Sequence, residues 1–233
     1  MNRDAFIRKL TNNQLIMNPV GRNTNELSPE EFEKCYEKFF EMIYEISGAN
    51  ISGVTGYGEF DENNQAPYNS VEEFILQTFD ETREGYWLNW TQMFETTYLK
   101  KDYFDNILSK ALKYAPYCEG KRFLVSNNTF FCNMVIDEKG TYCIDWGRAG
   151  IMDYLMDFAI MDLNKPYLQI PEKLFAYAKE KGIEIPNFKE RFLCMAYFKG
   201  IDTLRWHASI DDLESCESIT RSINELEERM NQI

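Results

Sequence analysis

Apolar residues recur three and four positions apart through most of this chain, so most of it is expected to fold as amphipathic helices. The cleanest case is SPEEFEKCYEKFFEMIYEIS, residues 28–47. Ser28 is placed to cap, Pro29 takes the first helical position, and Glu31 follows the cap by three residues to complete a capping box. Ser70 should cap a second helix from about Val71. Helical spacing then continues through YWLNWTQMF and YFDNILSKALKYA until Pro116, which lacks a backbone donor and should break it. Trp87, Trp90, Phe94, Tyr98 and Phe104 make an aromatic stripe there, read as the core of a helical lobe rather than a stacking platform. Four more helices are expected in YLMDFAIMDL, in PEKLFAYAKEKG closed by Gly182, in NFKERFLCMAYFKGIDTLRWHA and in DDLESCESITRSINELEERM.

The period changes between 122 and 145. RFLVS, CNMVID and TYCID are rich in β-branched and aromatic residues, and EKG supplies a short turn between the last two, so one hairpin-like island is expected in a mostly helical chain. Gly53, Gly56 and Gly58 invite comparison with a phosphate-cradling loop. No G-K-[ST] follows and the flanks are not a strand running into a helix, so a plain Gly-rich turn is expected. The polar NPVGRNTN before the first helix reads as a turn-rich linker.

Composition narrows the class. At 233 residues and 44% hydrophobic, the chain can bury one large core or two small ones. With 38 acidic against 25 basic residues the net charge is −13, which disfavours nucleic acid and anionic lipid and favours cationic small molecules or basic protein surfaces. The six cysteines form no C-x-x-C pair and there is one histidine, His207, which argues against a zinc site and Cys-His catalysis and leaves His207 a packing residue. Cys132 and Cys143 fall on the two arms of the hairpin and could face each other, but free buried thiols in a reducing cytosol are preferred. The start, MNRDAFIRKL, lacks the apolar run of a signal peptide, and no apolar stretch approaches the ~18 residues that span a bilayer. A soluble, cytoplasmic protein with no membrane partner is expected.

Asn133 and Asp145 flank MVIDEKGTYCI, so strand pairing would bring their side-chain oxygens together, and an oxygen pair of this kind suits Mg²⁺. The structural alternative is that Asn133 caps a turn and Asp145 ends a strand.

The larger pattern resembles the aminoglycoside phosphotransferase family, with its hygromycin, macrolide and choline kinase-like branches. That signature is H-G-D-x-x-x-x-N, a hairpin, then I-D-W-x-x-x-x-x-G-D-P-x-x-D-L-A. The second half matches in IDWGRAGIMDYLMDFA, with Asp145, Trp146, Asp153, Asp157, Phe158 and Ala159 in register, although Met152 replaces the usual glycine and Tyr154 the proline. The first half reads Ser126, Asn127, Asn128, four residues, then Asn133. The resemblance runs from about Glu26 to the end. It implies an α+β, mostly α-helical fold: a protein-kinase-like C-terminal lobe with a small catalytic-loop β-hairpin, residues 26–233. The N-terminal nucleotide lobe would be largely absent, with 1–25 a remnant of the lobe linker.

The resemblance also implies roles. Asn133 and Asp145 would be the metal ligands, and Asn128 would stand where the family has the aspartate that takes the proton of the attacking hydroxyl. Ser126, Asp153 and Asp157 would support the loop. An amide can orient a hydroxyl but cannot accept its proton, and losing a general base costs ~10² to 10⁴ in rate. The expected function is therefore that of a degenerate, pseudokinase-type lobe, related to antibiotic-resistance enzymes, with little or no phosphoryl transfer. Such a lobe would hold a small cationic or hydroxyl-bearing ligand or a protein partner. The alternatives are an active phosphotransferase using Mg²⁺ with ATP or GTP on an aminoglycoside-like hydroxyl, and a protein-interaction module. Asp202, Asp211, Asp212 and Glu214 near Trp206 mark where a substrate cleft would be sought.

Overall fold

The computed structural model describes Ile7 and residues 21–233. Apart from these, the amino-terminal segment expected to be a linker lies outside the described residues. Its described end is ordered by pairing. Arg22–Asn23 (β1) lies antiparallel on Met134–Ile136 (β4), with Arg22 opposite Ile136 and Asn23 opposite Val135. The free edge of β4 takes up backbone groups that a linker would leave to water.

The first helix opens as expected: Ser28 Oγ accepts from Glu31 N and Glu31 returns the bond to Ser28 N, a complete capping box. It is not continuous, however. Pro29–Glu33 (α1) ends in two turns in which Lys34 N and Cys35 N reach only three residues back, and Tyr36–Ser47 (α2) then starts afresh. Phe32 is thereby seated between Phe39 and Phe131, at centroid distances of 5.8 and 5.4 Å. Phe40 packs edge-on to Phe158 and Tyr177.

Ser70 caps Val71–Thr78 (α3) through Glu73 N. The stretch from 79 to 100 departs from the expected helix. Asp80 Oδ1 takes Thr82 N, Gly85 has φ +116° and Asn89 φ +57°, so the chain proceeds by turns to the short helix Met93–Thr96 (α4). The aromatic spacing still serves the core: Trp90, Phe94, Phe79 and Phe104 pack together at 4.9–6.3 Å. Lys101–Cys118 (α5) runs through Pro116 rather than stopping at it, because the proline falls in the last turn, before the left-handed Gly120.

Two small sheets occur where one hairpin was expected. β4 pairs antiparallel with Thr141–Cys143 (β5), Met134 facing Cys143, and β1 completes that sheet. Phe123–Val125 (β3) does not join it. β3 pairs with Gly150–Met152 (β6), whose other edge holds Gly58–Glu59 (β2). β6 is too short for a period-2 signal. Its pairing instead leaves a trace in the glycines: a Cβ on Gly150 would stand 2.2 Å from Gly58 O. Gly58 itself has φ +100° and presses on Tyr68 and Phe74.

The rest is helical, as read from the sequence: Leu155–Asn164 (α6), Ile170–Lys181 (α7) closed by Gly182 at φ +67°, Phe188–Ser209 (α8) and Leu213–Met230 (α9). α8 is buried on nearly every face, packed between α5, α6 and α9. Gly200 lets α9 approach closely, since a Cβ there would meet Ile223 at 2.6 Å. The charges on α8 are inside and paired, Arg191 with Asp153 at 2.6 and 2.9 Å, and Lys199 and Arg205 with Asp202.

All six cysteines are free. Cys132 is exposed, contrary to the buried thiol expected, because it precedes β4 rather than pairing across from Cys143. No helix among the described residues is long and apolar enough to cross a membrane.

Gly150→Ala is expected to lose about 1–3 kcal/mol of stability or more. The carbonyl it would strike is backbone and cannot rotate aside, so the urea midpoint should fall.

Candidate active site

The loop between β3 and β4 is held from beneath by one carboxylate. Asp157, in the first turn of α6 and 1% exposed, accepts Ser126 N and Asn127 N at 2.9 Å each. Thr129 Oγ1 donates to the Asp157 carbonyl at 2.6 Å and leans on Oδ1 at 3.4 Å. Burial pushes the Asp157 carboxyl up to about 6, against the opposing pull of these donors and of Lys199. Ser126 Oγ accepts from the Cys143 thiol at 3.1 Å, and burial pushes that thiol up to about 12, so it is inert.

The loop turns through Asn127, at φ +54°. Its side-chain Nδ2 donates to Glu59 Oε1 at 2.9 Å and to Arg148 O at 3.2 Å, which ties the loop to edge strand β2 and to the turn that leads into β6. Its Oδ1 is buried without a partner. Asn128 comes next. Its Nδ2 donates to Asp145 Oδ2 at 2.9 Å and to Asp145 O at 3.1 Å, while its own carbonyl accepts from Asn133 Nδ2 at 3.1 Å. Asp145 adopts φ +59° at the end of the hairpin, its Oδ1 receiving Gly147 N at 3.4 Å. Asn128, Asn133 and Asp145 are thus brought into one corner. The Asn133 backbone is paired as well, its N–H with Phe130 O and its carbonyl with Ile144 N.

Asp153 is elsewhere. Fully buried, it accepts Leu155 N at 3.0 Å and both guanidinium bonds of Arg191, so it fastens α6 to α8 and does not touch the loop.

A divalent cation was expected between Asn133 and Asp145. The corner offers one carboxylate, and its Oδ2 already receives the Asn128 amide. Among the described residues no group of three or more His, Cys, Asp or Glu side chains gathers as a metal site. As arranged, these residues do not fit a divalent cation unless that amide is displaced.

The corner opens into a cleft of about 1080 Å³. Glu59, Asp61 and Glu84 line it beyond the loop, as do Tyr86, Trp87 and Trp206. Trp206 packs on Tyr86 at 5.8 Å, and the Arg205 guanidinium lies 3.9 Å from the Trp87 ring centre. Asp202 is a buried charge in the cleft lining. Burial alone would raise its carboxyl, but Lys199, Arg148 and Arg205 outweigh it and hold the group well below the ordinary range. Arg148 bridges Asp202 at 3.1 Å and Glu59 at 2.9 Å, so the wall and the loop share one ionic network.

Of the acidic residues expected to mark a cleft, Asp202 lines it with Trp206, whereas Asp212 caps α9 and pairs with His207 Nδ1 at 3.0 Å, and Asp211 receives the Tyr98 hydroxyl. Glu59 and Arg148 were not anticipated, and Trp87, expected in the core, lines the cleft. Trp87 had a signal in the aromatic stripe, which points to core alone; Glu59 and Arg148 had none.

No protein-family model matches the chain, and no curated protein matches it in sequence. Solved structures do. Aminoglycoside phosphotransferase APH(4)-Ia superposes with a TM-score of 0.69 at 17% identity, over 91% of this chain and 70% of that one. Thermostable mutants of the same enzyme agree: a ternary complex with AMP-PNP and hygromycin B gives 0.70 at 18% identity, and one with ADP and hygromycin B gives 0.69 at 19%, over the same shares. The fold is that of aminoglycoside phosphotransferases. The likeness covers the α+β, mostly helical, kinase-like architecture expected from the sequence.

Asp157 supplies a pH test. Its folded value of about 6 lies above the ordinary 3.8, so its contribution is complete below about 4 and is lost as pH rises through about 6. Stability of the wild type relative to Asp157→Asn should therefore decline across that window, measured by urea unfolding at a series of pH values. Asp157→Ala, which orphans the Ser126 and Asn127 backbone donors, should cost about 3–5 kcal/mol.

Proposed function

We propose that residues 26–233 form the ligand-holding lobe of a phosphotransferase-type fold that binds a small cationic, hydroxyl-bearing molecule and transfers phosphate poorly or not at all. Residues 1–25 are then the remnant of a linker to a nucleotide lobe. The observation that carries this reading is the orientation of Asn128. Its amide N–H groups point at Asp145, so the residue at the position of the general base is spent as a donor inside the loop. What remains toward a substrate is an amide oxygen, which can accept a hydrogen bond but holds no proton. At ~10² to 10⁴ lost in rate, a phosphotransferase turning over at about 1–100 per second would fall to roughly 10⁻⁴ to 1 per second.

The ligand class follows from the cleft. Glu59, Asp61 and Glu84 offer carboxylates, and Tyr86, Trp87 and Trp206 offer apolar faces with polar edges, a combination suited to an amino-bearing ring compound. The net charge of −13 draws such a cation toward the cleft.

A second reading is favoured by the complexes of APH(4)-Ia with AMP-PNP or ADP and hygromycin B. In it the chain is an active phosphotransferase, taking ATP or GTP with Mg²⁺ at Asn133 and Asp145. Incubation with Mg-ATP or Mg-GTP and a panel that includes hygromycin B separates the two. The proposal expects an aminoglycoside to raise the melting temperature and change tryptophan emission, with no phosphorylated product. Product formation that disappears in Asp145→Ala would overturn it.

A further inference from the structure

The bonds around Asn128 carry a second consequence, one that rests on the reading of a weakened site. We propose that the Asn128 side-chain amide takes the place of a divalent cation beside Asp145, so that this loop is complete without metal, and that one substitution, Asn128→Asp, makes the same loop depend on one.

Three observations support it. The amide orientation is fixed by two acceptors at once, Asp145 Oδ2 at 2.9 Å and Asp145 O at 3.1 Å. Turning the group over would set its oxygen against both, so the hydrogen-bearing, positive end faces the carboxylate as a cation would. The second amide behaves alike: Asn133 Nδ2 donates into the loop, to the Asn128 carbonyl at 3.1 Å. Both potential ligand residues are thus joined through position 128 by N–H donors. Finally, among the described residues no hydrogen bond or ion pair brings a cationic side chain to Asp145. The neighbouring Arg148 is committed to Glu59 and Asp202, and Lys199 and Arg205 to Asp202.

The chain therefore balances a lone carboxylate with a neutral donor. An aspartate at 128 would remove that donor and bring two carboxylate oxygens to about the present 2.9 Å. Like charges so close cannot both persist without a proton or a cation between them. Adding the second carboxylate to Asp145 and the Asn133 oxygen would also assemble the hard, oxygen-only donor set that Mg²⁺ prefers.

The test is melting of the full chain, with magnesium ion alone as the probe. Wild type should melt at the same temperature in EDTA and in millimolar magnesium chloride. Asn128→Asp should melt lower in EDTA, by roughly 2–4 °C or more, and recover as magnesium is titrated in. The double variant Asn128→Asp with Asp145→Asn restores one amide against one carboxylate, so it should resemble wild type and ignore magnesium. If Asn128→Asp does not fold, Asn128→Ala decides. It removes the donor without adding charge and should show a magnesium response that wild type lacks.

The proposal is overturned if wild type itself is stabilised by magnesium as strongly as the variants. It is equally overturned if Asn128→Asp, or Asn128→Ala in its place, melts identically in EDTA and in magnesium. Failure of the reading it rests on looks different: phosphoryl transfer by the wild-type chain, whatever the melting curves show.

Discussion

Asp157 holds a length of polypeptide that has no regular structure of its own. The stretch after β3 cannot pair with the hairpin, since β3 belongs to the other sheet, so its backbone donors need partners from elsewhere. One carboxylate supplies them to Ser126 and Asn127, and to the Thr129 hydroxyl as well. Its burial is costly, as its raised proton affinity shows. That cost is offset by donors whose desolvation would otherwise go uncompensated. Asn128 is carried into place by its neighbours on either side, and the hydrogen bond to Asp145 follows from the resulting position.

Beneath the cleft the same logic extends along α8. Asp202 gathers Lys199, Arg148 and Arg205, and Arg148 hands the network on to Glu59 and thereby to Asn127. Buried ion networks add little net stability compared with apolar packing, but they penalise misalignment heavily because a displaced partner leaves a charge stranded. Loop, second sheet and central helix are therefore set in one mutual arrangement.

Much of this could be read from the chain. The cap at Ser28, the helix start at Ser70, the hairpin with EKG at its turn and the four carboxyl-terminal helices are local decisions, made by side chains within a few residues of one another. What was not legible is non-local. β2 and β6 are two and three residues long and exist because a glycine at 150 admits the backbone of Gly58. The helical spacing of Trp87, Trp90 and Phe94 served packing around Phe104 without requiring a helix, since turn residues at 80, 85 and 89 overrode it. At the site, Asn133 and Asp145 stood out by spacing. Asp153 and Asp157 are equally buried and looked equivalent until their partners separated a helix-to-helix tie from a loop anchor. Glu59 and Arg148 carried no pattern at all.

The contact between Gly58 and Gly150 has a mechanical side. Two backbones meet there with no side chain between them, so the flank that carries Glu59 has no rotamers with which to give way. The aromatic lining is built differently, with Tyr86 and Trp87 borne on turns and not on a helix. The cleft therefore has one rigid stretch of lining and one carried on turns. Any change of width to suit a bulkier guest has to come from the aromatic stretch, and the spacing between that guest and the loop is set by the stretch that cannot yield.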